Sequence, residues 1–322
     1  MKILIICVML LFSLVACDTK DASDYKEKLI SFSSELKEYN LKAEMMVVKE
    51  EGNVSFDIVV DYLEPNYYKV RIQNKSNNNV QVIVKNNDGV YVLTPELNKQ
   101  FKFNSDWPLN SSHAYLFQSI VKDITNDKDC KIETDDTNYI ITSNVNNKTN
   151  AKQKTQKTTF NKKTNNPVSN TIYDAQENPI VKVNIKSFNT SPGLKTKDFN
   201  VESINNTIRL ELSDGATNGV LLECVPTFLP EGYQLEGSLI EEKFTVFTYI
   251  NEQNIYTISC FVTEESKALT SSREFDDILL LNSTIGFISE NSLSFFQDNL
   301  FVSIYNKDFN LEEAVMIANS FK

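Results

Sequence analysis

Histidine and glycine are scarce in this sequence, which holds a single histidine and only 8 glycines in 322 residues. Serine and cysteine nucleophiles usually need a paired imidazole, so every such scheme depends on His113. A zinc site built from His113 and Cys130 lacks the spacing of metal ligands, and no glycine-rich phosphate-binding fingerprint is present. A pair of catalytic carboxylates remains open, because acidic residues are plentiful. We therefore expect no enzymatic activity, no cofactor and no metal.

Basic residues are also fewer than acidic ones. The chain has 32 lysines and arginines and 43 acidic residues, which gives a net charge of −11. Such a balance argues against nucleic acid as the main partner. The hydrophobic fraction of 41% is sufficient for packed cores, either in one large domain or in two ordinary ones.

Long apolar runs are missing after the N-terminus, where Met1-Lys2 precedes an apolar stretch over residues 3–15 and then Ala16-Cys17. This stretch is shorter than the ~20 residues of a membrane-spanning helix and has the layout of a secretory signal. Its ending, Leu-Val-Ala-Cys, resembles the bacterial lipobox, in which the cysteine thiol is lipidated. We predict a lipid anchor at Cys17 and an extracytoplasmic location on the bacterial cell membrane. A plain signal peptide or a short anchor is the alternative.

The cysteines do not form a complete disulfide framework. Cys7 leaves with the signal and Cys17 is lipidated, which leaves the odd set Cys130, Cys224 and Cys260. Cys224 and Cys260 can pair, and buried free thiols fit the sequence at least as well.

The apolar pattern changes from helical to strand-like near residue 40. Apolar residues recur at helical spacing from Tyr25 to Tyr39, which predicts an amphipathic helix. From Leu41 onward the period is two, and turn signals such as Asn87-Asp88-Gly89 separate successive antiparallel strands. A second helix is predicted over residues 108–124, and Trp107 before it either anchors this helix or lies in a surface turn. A long sheet covered by only two helices closes on itself or leaves a concave apolar hollow.

The second part of the chain begins after a change of composition around residues 200–218. Further strands follow, and a closing helix has Asn310 in N-cap position. The fold class is α+β. The predicted segments are a lipoprotein signal peptide (1–17), a tether (18–23), a half-barrel domain (24–205), a linker (206–218) and a small α+β C-terminal domain (219–322).

The order of elements, with the stretches "EPNYYKVRI", "DGVYVLTPELNKQFKF" and "NPVSNTIYDAQENPIVKVNIKSFNTSP", resembles the LolA/LolB family of lipoprotein carriers over residues 24–200. The resemblance implies an unclosed antiparallel half-barrel whose helical lid encloses acyl chains or other apolar ligands, without catalysis. The second unit, with "PTFLPEGYQLE" and "NLEEAVMIANSF", resembles a C-terminal domain of Gram-positive sporulation and envelope lipoproteins. The two-part plan also resembles RseB-like periplasmic regulators, which bind an anti-sigma partner through such a pair of domains.

One residue departs from the carrier pattern. In the LolA carriers an arginine precedes the Pro-Asn pair and takes part in the lid interactions that control cargo release. The matching residue here, before Pro65-Asn66, is Glu64. A membrane-anchored protein also cannot shuttle freely. Both features argue against a literal shuttle role and leave a binding role.

The candidate ligand-binding residues form an inward stripe on the predicted strands. The functional interpretation is a hollow for lipid or peptide, and the alternative is an ordinary packed core beneath the two helices. The stripe consists of Phe56, Ile58, Val60, Tyr68, Val70, Ile72, Val82, Tyr91, Leu93, Phe101 and Phe103.

A second candidate surface is basic, because the stretch from Asn144 to Tyr173 contains no acidic residue. It suits anionic lipid headgroups, at about 1 kcal/mol per cation near the surface. The alternative is a solvated strand pair whose lysines discourage edge-to-edge association. The residues assigned to this membrane-facing surface are Lys152, Lys154 and Lys157.

Three functional hypotheses follow from different classes. The first is a membrane-anchored, non-catalytic lipoprotein that binds an acyl chain, a lipid or a lipoprotein segment in the half-barrel hollow. The second is a regulatory, sporulation or germination lipoprotein with a filled barrel core, which acts by contact with an envelope protein partner. A cell-envelope hydrolase is the third. A ligand cavity lined by the stripe separates the first hypothesis from the second.

Overall fold

The computed structural model describes residues 19–49, 52–95, 99–103, 105–108, 112–147, 152–212, 225–241, 244–251, 254–262, 270–297 and 300–321. In these ranges the chain forms two β-sheets and four α-helices. None of the described helices combines the length and the apolar character that a membrane crossing requires. The strands are β1 (Glu38–Val47), β2 (Val54–Leu63), β3 (Tyr67–Asn74), β4 (Val80–Asn86), β5 (Gly89–Thr94), β6 (Lys99–Phe103), β7 (Lys131–Thr134), β8 (Asn138–Asn144), β9 (Thr155–Asn161), β10 (Pro167–Tyr173), β11 (Pro179–Asn189), β12 (Gln234–Ile240), β13 (Phe244–Ile250), β14 (Ile255–Val262), β15 (Thr270–Phe275), β16 (Asp277–Leu280), β17 (Ile285–Ser289), β18 (Ser292–Gln297) and β19 (Leu300–Asn306).

The first sheet has twelve strands in the order β15-β6-β5-β4-β3-β2-β1-β11-β10-β9-β8-β7. Its strand pairs are antiparallel apart from β15, which lies parallel to β6. The strands at the two ends of this order do not pair with each other, so the described sheet is open. The predicted unclosed antiparallel sheet is thereby confirmed.

Strand β1 joins the two halves of this sheet, because it pairs with β2 on one side and with β11 on the other. Successive side chains of a strand point to opposite faces. Leu41 and Met45 are accordingly buried, whereas Lys42 between them is exposed. The predicted hairpin between β4 and β5 is also confirmed, and Gly89 takes a φ of +140°, which side chains other than glycine rarely adopt.

Helices α1 (Thr19–Glu35) and α2 (Phe117–Asn126) cover one face of the first sheet, which we call the inner face. Both helices have other bounds than the sequence predicts. Helix α1 begins at Thr19, inside the stretch 18–23 that the sequence predicts as a tether. Helix α1 stops at Glu35, and Tyr39 belongs to β1, where strand alternation happens to continue the helical spacing. Helix α2 begins at Phe117 and not at Pro108.

The opposite face of the first sheet carries helix α3 (Val201–Leu212) and a short 3₁₀ helix, Thr196–Phe199. Phe199, Ile204 and Ile208 pack there on apolar residues of β4 and β5. Helix α3 covers the first part of the stretch 206–218 that the sequence predicts as a linker, and residues 213–218 lie outside the described residues.

The second sheet has seven strands in the order β12-β13-β14-β19-β18-β17-β16. Helix α4 (Leu311–Ala318) packs on one face of it through Ala314 and Ile317. The predicted N-cap is confirmed, because Asn310 Oδ1 accepts hydrogen bonds from the backbone N–H groups of Glu312 and Glu313 at 3.0 and 3.3 Å.

A cluster of phenylalanines joins the two sheets. Phe101 of β6 lies 5.1 Å from Phe287 and 5.5 Å from Phe296, both of the second sheet, measured between ring centroids. Phe103 lies 5.6 Å from Phe275 of β15. The face of β16–β18 that turns away from α4 therefore shares a core with the inner face of the first sheet.

Candidate functional site

The structure divides the predicted stripe between the two faces of the first sheet. Val82 and Leu93 are buried on the face that carries α3, and Tyr91 packs there too. On β4 the residues from Val80 to Val84 are all buried, so both faces are covered and apolar spacing cannot show which side chains point inward. The eight stripe residues that do lie together in the inner core are Phe56, Ile58, Val60, Tyr68, Val70, Ile72, Phe101 and Phe103.

The inner face is filled by aromatic side chains. These eight stripe residues are each at most 5% exposed. Tyr39 lies against Phe117 of α2 at 6.2 Å and against Phe188 of β11 at 5.0 Å between ring centroids. Tyr68 meets Trp107 edge-on at 5.7 Å. On this face the stripe forms a packed core beneath the two helices.

The two covering helices are held by side chains from both halves of the sheet. Tyr25 of α1 stacks on Tyr139 of β8, with ring centroids 3.6 Å apart. Lys26 Nζ donates to the Asp127 carbonyl at 2.7 Å. The Tyr39 hydroxyl donates to Gln118 Oε1 of α2 at 2.8 Å. These contacts fix the helical lid at several separate points.

Trp107 anchors the segment that leads into α2, so the surface-turn alternative is wrong. Its side chain is 0% exposed, and its carbonyl accepts a hydrogen bond from Lys85 Nζ at 2.5 Å. Partial burial lowers the pKa of this lysine below its ordinary value.

His113 lies beside Trp107, with ring centroids 5.7 Å apart. Burial lowers its pKa from 6.5 to about 4, because the charged imidazolium loses its hydration. Its Nε2 has no hydrogen-bond partner among the described residues. Nε2 therefore pairs with no nucleophile among the described residues.

A small cleft of about 20 Å³, partly open to solvent, lies where the two sheets meet. Gln81 Oε1 accepts from the backbone N–H of Ile285 at 2.8 Å and from the Thr284 hydroxyl at 3.1 Å. Gln81 Nε2 and Thr94 Oγ1 are buried without a partner in the described chain. A water molecule or one small polar group fits these atoms. The sequence signal for this cleft is the single glutamine inside the apolar run of β4.

The lysines assigned to the membrane-facing surface are all exposed. Lys157 lies 3.7 Å from Glu133 in an ion pair. Cross-strand pairing places Lys157 in one row with Lys131 and Lys182, with a threonine between each pair of lysines. The outer face of β7–β11 is thus locally basic.

The remaining predicted groups add no chemical centre among the residues that the structure describes. No group of three or more His, Cys, Asp or Glu is placed to hold a metal ion there. Cys130 is a free thiol, and Cys260 is disulfide-bonded. Cys17 and Cys224 lie outside the described residues.

Comparison with known proteins gives a family and several structural neighbours. A family model described as sporulation protein YdcC-like matches residues 1–199. The sporulation protein YdcC of Bacillus subtilis (strain 168) is 32% identical over 319 residues, which covers 96% of this chain and 93% of that protein. The predicted resemblance to sporulation proteins is therefore confirmed.

Two solved structures illustrate the neighbours of the whole chain and of its first part. The MucA/MucB complex of Pseudomonas aeruginosa aligns with 94% of this chain and 98% of that chain, at 11% identity and a TM-score of 0.34. A LolA superfamily protein from Nitrosomonas europaea aligns with 55% of this chain and 98% of that chain, at 9% identity and a TM-score of 0.33.

Proposed function

Because the chain belongs to the family of YdcC-like sporulation proteins, we propose that it is a non-catalytic envelope lipoprotein that acts in sporulation by binding a protein partner. The observation that carries this proposal is the filled inner face of the first sheet. Eight of the residues expected to line a ligand hollow are instead covered by Trp107, by α1 and α2, and by rings of the second sheet.

The energy of this packing opposes an acyl chain in the interior. Removing one buried aromatic side chain from a core costs about 3–5 kcal/mol. An acyl chain along the inner face has to displace several such rings, among them Tyr39 and Phe117, which are fully buried. The ligand contacts would first have to offset that loss before any net binding remained. Recognition at an outer surface carries no such cost.

Attachment to the membrane through Cys17 is part of the same proposal. Helix α1 begins at Thr19, two residues after Cys17, so a lipid at Cys17 keeps the folded unit close to the bilayer. Two or three acyl chains hold a protein firmly, since each buried methylene contributes about 0.8 kcal/mol. The exposed lysines Lys152, Lys154 and Lys157 then add an attraction to anionic headgroups.

An apolar ligand in the half-barrel is the second candidate function. The cleft between the sheets favours it, because Phe56 and Ile72 of the stripe line that cleft together with Phe296. The space there is small and its rim is polar, which suits only a short apolar group.

Native purification of the full-length chain in detergent, followed by mass spectrometry of bound lipid and bound protein, separates the two candidates. Our proposal expects a protein partner in near-equal amount and no saturable binding of a fluorescent fatty acid. One tightly bound lipid per chain, displaced by the fatty acid, would replace our proposal with the second candidate.

A further inference from the structure

Exposed apolar side chains concentrate on the half of the second sheet that lies far from the first sheet. Every residue of the edge strand β12 is exposed, including Leu235 at 55%, Leu239 at 51% and Ile240 at 67%. The strand pairs only with β13, so its other edge has no strand neighbour among the described residues. An exposed apolar edge strand offers its free backbone groups to another extended chain.

The sheet face beside this edge is apolar and carries no charge. Cross-strand pairing aligns Leu239 with Val246, and Phe244 with Phe261, on the side away from α4. The eight residues of β13 and β14 that point to this side are hydrophobic, serine or threonine, in a chain that is 23% charged. We call the apolar residues on this side of the sheet the open face. They are Leu239, Phe244, Val246, Ile250, Ile255 and Phe261.

The open face continues a surface that already makes an interface. On β16–β18 the same side of the sheet packs on the inner core of the first sheet, through Phe287 and Phe296. At Phe301 of β19 this packing reaches its limit, and Phe261, its cross-strand neighbour on β14, is exposed. One half of this side is therefore covered by the chain itself, and the other half is left uncovered by the described residues.

The negative charge around the free edge of β12 indicates which kind of partner can bind there. Residues 225–242 contain four glutamates and no lysine or arginine. Glu231, Glu236 and Glu241 are exposed, and none is in an ion pair with a described residue. A second copy of this chain would bring the same negative charge to the edge, and an anionic bilayer would likewise be repelled. A partner with lysine or arginine next to its apolar residues is complementary.

We propose that β12 is a docking edge for an extended, basic segment of a protein partner, which adds a strand to the second sheet. Main-chain hydrogen bonds to β12 supply affinity. Apolar side chains of the segment that point to the same side as Leu239 cover the open face, and its cations pair with the three exposed glutamates. This inference rests on the proposed function, for which it gives the contact surface and the chemistry of the partner.

The test uses the full-length chain in detergent and two fluorescently labelled peptides, one of alternating lysine and valine and one of alternating glutamate and valine. Fluorescence anisotropy should show saturable binding of the lysine peptide, at least about tenfold tighter than that of the glutamate peptide. The double variant Glu236→Lys with Glu241→Lys should weaken the lysine peptide by about tenfold or more. The matched control is Glu290→Lys, an exposed glutamate in the turn between β17 and β18, which should leave binding unchanged.

The apolar part of the surface has its own pair of variants. Leu239→Ser should weaken the lysine peptide, whereas Met316→Ser on α4, also exposed, should not. Equal weakening by Glu290→Lys and by the double variant, or no saturable binding of the lysine peptide, would overturn the inference. So would a dimer, seen by sedimentation, that Leu239→Ser dissociates, because the edge would then serve a second copy.

Failure of this inference is distinguishable from failure of the proposed function. A partner that co-purifies equally with the natural chain and with the double variant at Glu236 and Glu241 leaves the proposed function standing and overturns the docking edge. A partner that co-purifies with the natural chain and is lost from the double variant supports both the proposed function and the docking edge.

Discussion

Phe117→Ala is the most direct test of a filled interior. The Phe117 side chain is 0% exposed, and its ring contacts those of Phe32, Tyr39 and Phe188 at centroid distances of 5.7, 6.2 and 5.3 Å. Because these rings belong to α1, β1 and β11, the site cannot easily collapse after truncation. We expect the free energy of unfolding to fall by about 3–5 kcal/mol. At about 2–4 °C per kcal/mol for a domain of this size, the melting temperature should fall by about 6–20 °C.

Urea denaturation followed by circular dichroism measures the loss, and benzene supplies a second measurement. A dry apolar cavity binds benzene, so benzene should raise the melting temperature of Phe117→Ala and leave that of the natural chain unchanged. The control is Ile30→Ala on α1, where the side chain is 44% exposed and the loss should stay below about 1 kcal/mol. The reasoning is refuted if Phe117→Ala costs no more than the control, or if benzene already stabilises the natural chain.

Three further predictions concern the anchor, the half-buried His113 and the basic surface. Cys17→Ala should move the chain from the membrane fraction to the soluble fraction, which cell fractionation measures. Globomycin treatment of the natural chain should likewise change its processing. The pKa of His113 lies near 4 when folded and 6.5 when unfolded, so its contribution to stability is complete above pH 6.5 and is lost as the pH falls towards 4. Because His113 is partly exposed, the loss is at most about 3 kcal/mol, and His113→Gln should remove that part of the pH dependence in urea titrations. Replacing Lys152, Lys154 and Lys157 by glutamine should weaken binding to anionic vesicles by up to about 1 kcal/mol per lysine, whereas unchanged, salt-independent binding would contradict a membrane-facing surface.

The alternation of apolar residues was enough to predict most strands of the first sheet, because one face of each is polar. It does not predict which side chains of β4 and β5 point to the inner face, because Val82 and Leu93 on the opposite face are as buried as their neighbours. It also missed β15, whose sequence is mostly polar and whose partner, β6, lies some 170 residues earlier in the chain. Only tertiary pairing makes such a segment a strand.

Helix α3 was missed for a related reason. Its sequence, VESINNTIRLEL, contains asparagines and β-branched residues that have modest helix propensity. Ile204 and Ile208 pack on β4 and β5, and this packing stabilises the helix. The sequence also does not predict that the inner face is filled, because the same apolar stripe is expected whether aromatic rings or a ligand cover it.

Glu64 stands where the resemblance to the LolA carriers implies an arginine, and its side chain pairs with Lys37. Its carboxylate lies 2.7 Å from Lys37 Nζ, and both side chains are largely exposed. An ion pair of this kind contributes about 0–1 kcal/mol, whereas truncation of a single buried ring beneath the lid costs about 3–5 kcal/mol. Buried rings such as Tyr25, Phe117 and Trp107 therefore contribute more to the packing between the helices and the sheet than this ion pair does. Under the proposed function, the protein partner therefore binds outside that core.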